Sequence, residues 1–552
     1  MCYTPRRLQP TGVQKAHERE LLLIAIPDAF NVACYFVDRN VLEGRGSNVA
    51  IECGSEQISY AQLQDQVNRA GNALQQLGVR MEERIVFLVP DSPEFLYCFF
   101  GAIKLGAVAV PLNTYLRPDE YEYLLNDTRA RVLLVDAALL PAVESIAKKT
   151  LKYLEKIVVV NGRGGNYPSF ESLLESASSQ MEAAATSKDD TAFWLYSSGS
   201  TGASKACIHL HHDMVVCSEL YAKGILQISE HDRCYSVARL FFAYGLGNAG
   251  YFPLSCGATT ILSGPRPDVA TIYANIERYR PTLFFSVPSN YVAMLAYHSP
   301  EGKEFDLSSI RQAVSAGESL PAAVFQRFKE RFGVDILDGL GSTETLQMVI
   351  SNRADEMRPG STGKIIPGYE ARLVDENGHD VARGEIGALL IKGDSTCAGY
   401  WNQHEKTKAT FDGPWFRTGD RYYQDEDGYY WYAGRGDDLF KVNGRWLSPA
   451  EVENALIAHP AVQEAAVIAR EDASKLNKPV AYVVVNPEAV PNEDLVRSLQ
   501  DWVTERLGAY KRPRWIEFLP ELPKTATGKV QRFKLRELQR TAQSASGKVS
   551  KT

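Results

Sequence analysis

The stretch YSSGSTGASKACIHLHHD, Tyr196 to Asp213, sets serine and threonine hydroxyls among glycines ahead of Lys205. A loop of this kind can hold phosphate. Gly199 and Gly202 tolerate the positive φ that turns successive backbone N–H groups to one side, and Ser197, Ser198, Ser200 and Thr201 add donors. It is not the loop of the ordinary P-loop ATPases: four free positions after Gly199 lead to Ser204, Lys205 and Ala206, so the second glycine and the magnesium-binding hydroxyl of Gly-Lys-Ser/Thr are missing. A solvated Ser/Gly linker is the bland alternative for such a composition. Against it, FWLYS leads into the loop as a strand, and ACIHLHHDMVVCSELYA after it is expected to enter a helix.

Further stretches carry residues suited to nucleotides. DGLGSTETL sets Thr343 and Glu344 after a glycine turn, where a hydroxyl can meet phosphate and a carboxylate can hold a hard cation such as Mg2+. Taken alone, such a triplet is common on surfaces. WFRTGDRYY puts Asp420 after Thr418 and Gly419, where a carboxylate can accept both hydroxyl protons of a ribose or simply serve a turn. GRGDD offers Arg435 to an anion beside Asp437 and Asp438. PKTATGKVQR places Lys529 in a Thr/Gly turn near the end, where a lysine is ordinarily just solvated.

The elements that must position these residues alternate. From about residue 60, YAQLQDQVNRAGNALQQLGV has helical spacing, RIVFLVP reads as a strand, and AVAVPL, RVLLVD and KIVVV follow as short apolar strands. RCYSVARLFFAYGLGNAGYFPLSCGATTIL and RPTLFFSVPSNYVAML repeat the style, with near-continuous apolar runs suited to burial on both faces. After STGKIIPGYEARLVDENGHDVARGEIGALLIKG the strands become shorter and more polar, with turns such as Glu376-Asn377-Gly378. Past Gly434–Asp438, SPAEVENALIAH, AAVIAR, PVAYVVVN, DLVRSLQDWVTERL and WIEFLP form a small helix and strand set of their own. The expected fold is α/β: a large N-terminal domain, residues 1–436, of two α/β sheet lobes plus an antiparallel β subdomain, and a small α+β C-terminal domain, residues 437–552.

Composition narrows the partners. With 552 residues the chain exceeds one compact core, and a net charge of -7 gives no pull toward nucleic acid or an anionic membrane. Nine scattered cysteines without a C-x-x-C pair suit reduced thiols, so a cytoplasmic protein with neither disulfides nor structural zinc is expected. The N-terminal apolar run follows charged residues and lacks a small-residue cleavage site, so it does not read as a signal peptide. FLYCFFGAIKLGAVAVPL is broken by Lys104 and Gly106 and ends at Pro111, which fits a buried helix leading into a strand better than a membrane span.

In their order and spacing, YSSGSTGASK, GSTE, RTGD, GRGDDLFKVNG and PKTATGK resemble the motifs of the acyl-adenylate-forming superfamily, the acyl- and aryl-CoA synthetases with their adenylation-domain and luciferase relatives. The resemblance spans about residue 30 to about residue 540. It implies ATP, Mg2+ and coenzyme A. Ser197, Ser198, Gly199, Ser200, Thr201, Gly202 and Lys205 would hold the β,γ-phosphates, which leave as pyrophosphate when an acyl-AMP forms. Thr343 would touch the α-phosphate and Glu344 would bind Mg2+. Ala316, Gly317 and Glu318, with Asp338, Gly339 and Leu340, would frame adenine, Asp420 would take the ribose hydroxyls, and Arg435 would add a contact to ribose or phosphate. Lys529 would enter from the small domain and place positive charge where the carboxylate oxygen meets the α-phosphorus. Asp437 falls at the family's hinge, about which a mobile small domain turns to withdraw Lys529 and admit the CoA thiol. The loop departs from the family pattern at Ser204, usually proline, and Ala206, usually glycine. Ala206 requires φ < 0 to be unstrained, and altered loop mobility is expected there, not lost activity.

LFFAYGLGN, Leu240 to Asn248, is similar to the acid-pocket segment of benzoate–CoA ligases, as are YFVDRNVLEGRG and PKTATGKVQRFKLRE to their counterparts. Tyr244 can cover a flat ring while Ala243 and Gly245 leave it room, although the same residues also suit a plain buried strand end. Gly341, Leu346 and Gln347, by their offsets from Glu344, border the same pocket. Gln347 offers both a donor and an acceptor, and an unpartnered buried amide is costly, so a substituted benzoate such as 2-aminobenzoate (anthranilate) or a hydroxybenzoate is expected at least as strongly as benzoate. The implied reaction turns a small aromatic acid into aryl-AMP and then aryl-CoA, with AMP and pyrophosphate as products. Two rival readings are a free-standing ligase that loads a separate carrier protein, since no L-G-G-x-S attachment site occurs in the chain, and a non-catalytic nucleotide-binding protein, against which Glu344, Asp420 and Lys529 speak. The sequence leaves an oligomer open.

Overall fold

The structure, a computed structural model, describes residues 24–197, 204–264, 267–300, 302–436, 438–442, 445–472, 476–524 and 530–549. Among them, one sheet orders its strands as Lys156–Val160, Val132–Asp136, Arg84–Leu88, Val108–Pro111, Thr191–Ser197 and Lys205–Leu210. Its neighbours run parallel except for the last pair, which is antiparallel. Parallel strands are covered on both faces, and Val132–Asp136 is buried at every position, which is why its first four residues are an unbroken apolar run.

Pro93–Lys104 is the buried helix expected from its composition, and Val108–Pro111 is the strand after it. Among the described residues no helix is long and apolar enough to cross a membrane. Lys104, which interrupts the apolar run, is buried because its ammonium reaches both Asp38 carboxylate oxygens at 2.8 Å and Asn68 Oδ1 at 2.6 Å. Helix Tyr60–Gln76, opened by a Ser59/Gln62 capping box, lies against it. A Cβ on Gly101 would fall 2.8 Å from the Ala70 methyl, so glycine is what lets these helices touch.

A second sheet runs Lys364–Ile365, Met348–Ser351, Ile336–Gly341, Gln312–Ser315, Leu283–Ser286, Arg233–Ser236, Thr259–Leu262, Val49–Cys53 and Glu56–Ser59. It is parallel from Ile336–Gly341 to Val49–Cys53 and antiparallel at both ends. An antiparallel set of Glu370–Val374, Gly387–Lys392, Phe411–Asp412, Trp415–Gln424 and Tyr430–Arg435 follows. The C-terminal residues form a small sheet of Val462–Glu471, Asn477–Val485 and Trp515–Phe518 with helices Pro449–Ile457 and Glu493–Leu507. Val452, Leu456, Val467, Val483, Leu499 and Val503 give it a core of its own. The fold is thus α/β, with an antiparallel β subdomain and a small α+β C-terminal unit.

The stretch after the loop does enter a helix, but later than its sequence suggests: Lys205–Leu210 first extends as a strand antiparallel to Thr191–Ser197, and the helix begins at Asp213. The outer edge of that strand is taken up as well: Ile208 N–H donates to Gly399 O and Trp401 N–H donates to Ala206 O, both at 3.0 Å. Pairing on two sides overrides a weak local preference.

Candidate active site

The phosphate-loop sequence thus joins two antiparallel strands. Ser197 and Lys205 face each other in register where the strands meet it, and Ser198, Gly199, Ser200, Thr201 and Gly202 lie outside the described residues. The Ser197 hydroxyl is buried without a partner. Lys205 Nζ is 2.7 Å from Glu344 Oε1 and donates to the Tyr400 hydroxyl at 2.6 Å, which in turn donates to the same Glu344 oxygen at 2.8 Å. The ammonium also sits 4.0 Å from the centre of the Tyr400 ring. Burial alone would raise the Glu344 carboxyl, but the charge and hydrogen bond of Lys205, with the Tyr400 hydroxyl, outweigh it and hold the group below its ordinary value. Glu344 is therefore an ionised carboxylate in a nearly dry place. Ala206 is absent from the positive-φ residues, so it sits in its strand without that strain.

The loop that carries Thr343 and Glu344 is fastened from several sides. His209 is fully buried, stacked on Phe193 with ring centroids 5.0 Å apart, and its Nε2 donates to Thr343 O at 2.9 Å. A carbonyl oxygen only accepts, so Nε2 carries a hydrogen there, and Nδ1 likewise has an acceptor before it, the carboxylate oxygen Asp213 Oδ2 at 2.8 Å. Within the loop, Ser342 N–H donates to Thr345 Oγ1 at 3.0 Å and Thr345 N–H to Ser342 Oγ at 3.2 Å, while Ser395 Oγ donates to Thr345 O at 2.8 Å. These bonds hold Leu346, buried and at φ 64°, in a conformation that an L-residue seldom adopts unaided. Neither Tyr400 nor His209 stands out in the sequence. Tyr400 sits in an unremarked Ala-Gly-Tyr-Trp run, and His209 is one of three histidines in HLHH whose roles only the fold separates.

Ala316, Gly317 and Glu318 follow the strand Gln312–Ser315, with Gly317 at φ 90°. Asp338, Gly339 and Leu340 lie on the adjacent parallel strand. Asp338 Oδ2 accepts from Leu320 N–H at 3.3 Å, its Oδ1 is buried without a partner, and burial pushes its carboxyl well above the usual carboxylate range. Asp420 and Arg435 are opposite each other on an antiparallel pair and joined by a 3.0 Å ion pair. Lys529 and Asp437 lie outside the described residues, but Val530 N–H donates to Glu318 Oε1 at 3.1 Å. The chain just after Lys529 is thereby tied to the Ala316–Glu318 turn.

Among the residues expected to line an acid pocket, the Tyr244 hydroxyl lies 3.2 Å from both Ser286 O and Val314 O, at the carboxyl ends of two parallel strands, where α/β sheets bind ligands. Ala243 and Gly245 share its helical turn. A Cβ on Gly245 would fall 2.1 Å from Arg239 O, so this turn lies on the backbone of the preceding segment. Gln347 is buried, and its Nε2 donates to Ala243 O at 3.1 Å and Tyr244 O at 3.0 Å. Its backbone carbonyl would lie 2.7 Å from a Cβ on Gly341, and its amide nitrogen 2.1 Å from one on Gly247. Ala243, Tyr244, Gly341 and Gln347 are thus in one neighbourhood. Of the donor and the acceptor that the Gln347 amide offers, the donor is engaged by two backbone carbonyls.

Parallel sheets, a hydroxyl-rich sequence joining two antiparallel strands at one edge, an ionised glutamate beside a lysine, and a C-terminal unit bonded to Glu318 fit a nucleotide-handling enzyme. The chain belongs to the AMP-binding enzyme family, which it matches over residues 38–401, with the AMP-binding enzyme C-terminal domain at residues 451–529. It is 47% identical over 515 residues to the benzoate–CoA ligase of Thauera aromatica, covering 93% of this chain and 97% of that protein. Among solved structures it is similar to the anthranilate CoA ligase AuaEII in complex with anthranoyl-AMP, with a TM-score of 0.90 and 44% identity over 94% of this chain and 99% of the other. A benzoate CoA ligase from Burkholderia xenovorans gives a TM-score of 0.84 and 43% identity over 92% and 100%.

Proposed function

We propose that this chain is an AMP-forming aryl-acid–CoA ligase: it joins a small aromatic carboxylic acid, benzoate or a ring-substituted benzoate, to AMP and then to the thiol of CoA, releasing pyrophosphate and AMP. The observation that carries the reading is the continuity of Thr343 to Gln347. At one end Glu344 faces Lys205 of the phosphate hairpin, and at the other Gln347 is bonded to Ala243 and Tyr244 of the acid side. One short loop therefore spans the two places where an acid carboxylate and an α-phosphate must meet.

A carboxylate is a poor electrophile, and adenylation gives it a good leaving group. Lys205 and the loop hydroxyls would hold the departing phosphates, Asp420 the ribose and Tyr244 the ring. Mg2+ would rest on Glu344 together with phosphate oxygens of ATP, an ordinary arrangement for that ion. The ionised state of Glu344 fits this role. When bound, the ion would offset phosphate charge as pyrophosphate leaves. In the same reading the chain divides between residues 436 and 437, with Asp437 as hinge and Lys529 as the cation brought to the reacting oxygen. The bond from Val530 to Glu318 supports that placement.

The test is pyrophosphate release with ATP and Mg2+ over benzoate, aminobenzoates, hydroxybenzoates, cinnamates and fatty acids, with the thioester followed by mass. A CoA thioester of a small aryl acid is expected. Aryl-AMP without thioester would move the acceptor to a carrier protein, and no release with any acid would overturn the reading.

A further inference from the structure

The amide of Gln347 has only one orientation that its surroundings allow. Nε2 lies 3.1 Å from Ala243 O and 3.0 Å from Tyr244 O, and exchanging the amide oxygen and nitrogen would set an oxygen against two carbonyl oxygens. Both N–H donors are consumed there. Oε1, on the other arm of the amide, is buried and has no hydrogen-bond partner, in a residue only 2% exposed. Buried carbonyls of this kind are seldom left unserved in a native protein. The backbone around it is already committed: Gln347 N–H donates to Thr345 O at 2.8 Å, and Gln347 O accepts from Thr345 Oγ1 at 3.0 Å. Gly247 lies so close to the side chain that a Cβ there would fall 2.1 Å from Nε2. With its nitrogen bonded to two carbonyls and Gly247 against it, the amide is held with its oxygen on the other arm.

Resting on the aryl-acid reading above, we infer that Gln347 Oε1 is an acceptor-only reader of the substrate ring, and that the preferred acid is a benzoate carrying a hydrogen-bond donor, an amino or hydroxyl group. Substituents that only accept, or do neither, leave the oxygen unserved. The amide cannot answer them by rotating, because its nitrogen is held by Ala243 and Tyr244.

The experiment compares each aminobenzoate and hydroxybenzoate with the methylbenzoate of the same ring position, since methyl matches amino in size but donates nothing. The wild-type enzyme is expected to favour the donor over methyl at one ring position by about tenfold in kcat/KM, the worth of one neutral hydrogen bond. In Gln347→Leu that ratio falls to near unity, each ratio being taken within one enzyme so that a general loss of activity cancels. Parity between donor and methyl at every ring position in the wild type overturns the inference without needing the variant, as does an unchanged ratio in Gln347→Leu. If benzoates give thioester at parity, the ligase reading stands and this inference falls. If no benzoate releases pyrophosphate, both fall.

Discussion

Lys205 and Glu344 form a buried ion pair, Nζ to Oε1 at 2.7 Å, with the Tyr400 hydroxyl bonded to both. The lysine opens the strand Lys205–Leu210 and the glutamate belongs to the loop it faces. The protein thus supplies its own cation to the carboxylate proposed to carry Mg2+.

Breaking that pair from one side should be worse than removing it altogether. Lys205→Met leaves a buried carboxylate with Tyr400 alone and is expected to cost about 3 kcal/mol of stability, within the range for stranding one partner of a buried pair. The Lys205→Met, Glu344→Gln double variant should lose less than the single one. Urea midpoints measure this, and a double variant less stable than Lys205→Met would sink the account. Pyrophosphate release should fall by at least about a hundredfold in Glu344→Gln, as when a charge-stabilising group is removed from an active site.

His209 acts through Thr343. Its imidazole donates to the Thr343 carbonyl and is oriented by Asp213, so His209→Phe, which keeps the stack on Phe193, frees one side of the loop. We expect kcat for adenylation to fall about tenfold with a smaller change in KM for the aromatic acid, the mark of a misplaced reacting group. Equal losses in kcat and in thermal stability across His209→Phe and Asp213→Asn, with no separation of kcat from KM, would point to a purely structural role.

His211 gives a pH dependence of stability. Burial pushes its imidazole down to about 4, and its Nδ1 accepts from Val32 N–H at 3.1 Å, so the folded protein holds it neutral. The unfolded chain takes up a proton near pH 6.5 and the folded one does not until about pH 4. Unfolded molecules therefore bind more protons across that window, and stability falls as pH drops from 6.5 to 4, by on the order of 3 kcal/mol. His211→Asn, which keeps an acceptor but cannot titrate, should flatten this part of the profile. A wild-type denaturation midpoint that is level between pH 6.5 and 4 would contradict it.

Lys529 is expected to divide the two half-reactions. Lys529→Ala should lower aryl-AMP formation by about a hundredfold or more, because it withdraws charge from the developing bond, yet leave thioester formation from supplied aryl-AMP within a fewfold of wild type. Equal loss in both steps would remove Lys529 from its assigned place.

The sequence by itself determined what is local. Alternating apolar runs were enough for the α/β sheets, and polar strands with Asn-Gly turns for the antiparallel set, because both periods are written in neighbouring residues. The motifs around Ser197, Thr343, Asp420 and Lys529 were equally readable, each being a contiguous group of side chains with one kind of chemistry. Tertiary structure alone decided the partners. Lys205–Leu210 became a strand because Thr191–Ser197 and the 398–401 segment both offered it backbone partners. Lys205 was paired with Glu344 and Tyr400, and His209 was distinguished from His211, by the way distant segments were folded against one another. Gln347 is the sharpest case: its type promised a donor and an acceptor, and only the carbonyls of Ala243 and Tyr244, brought in from a remote helix, left it the acceptor alone. A hydrogen bond depends on where its partner stands in space, and that position depends on chain closure over many residues, which no window of sequence contains.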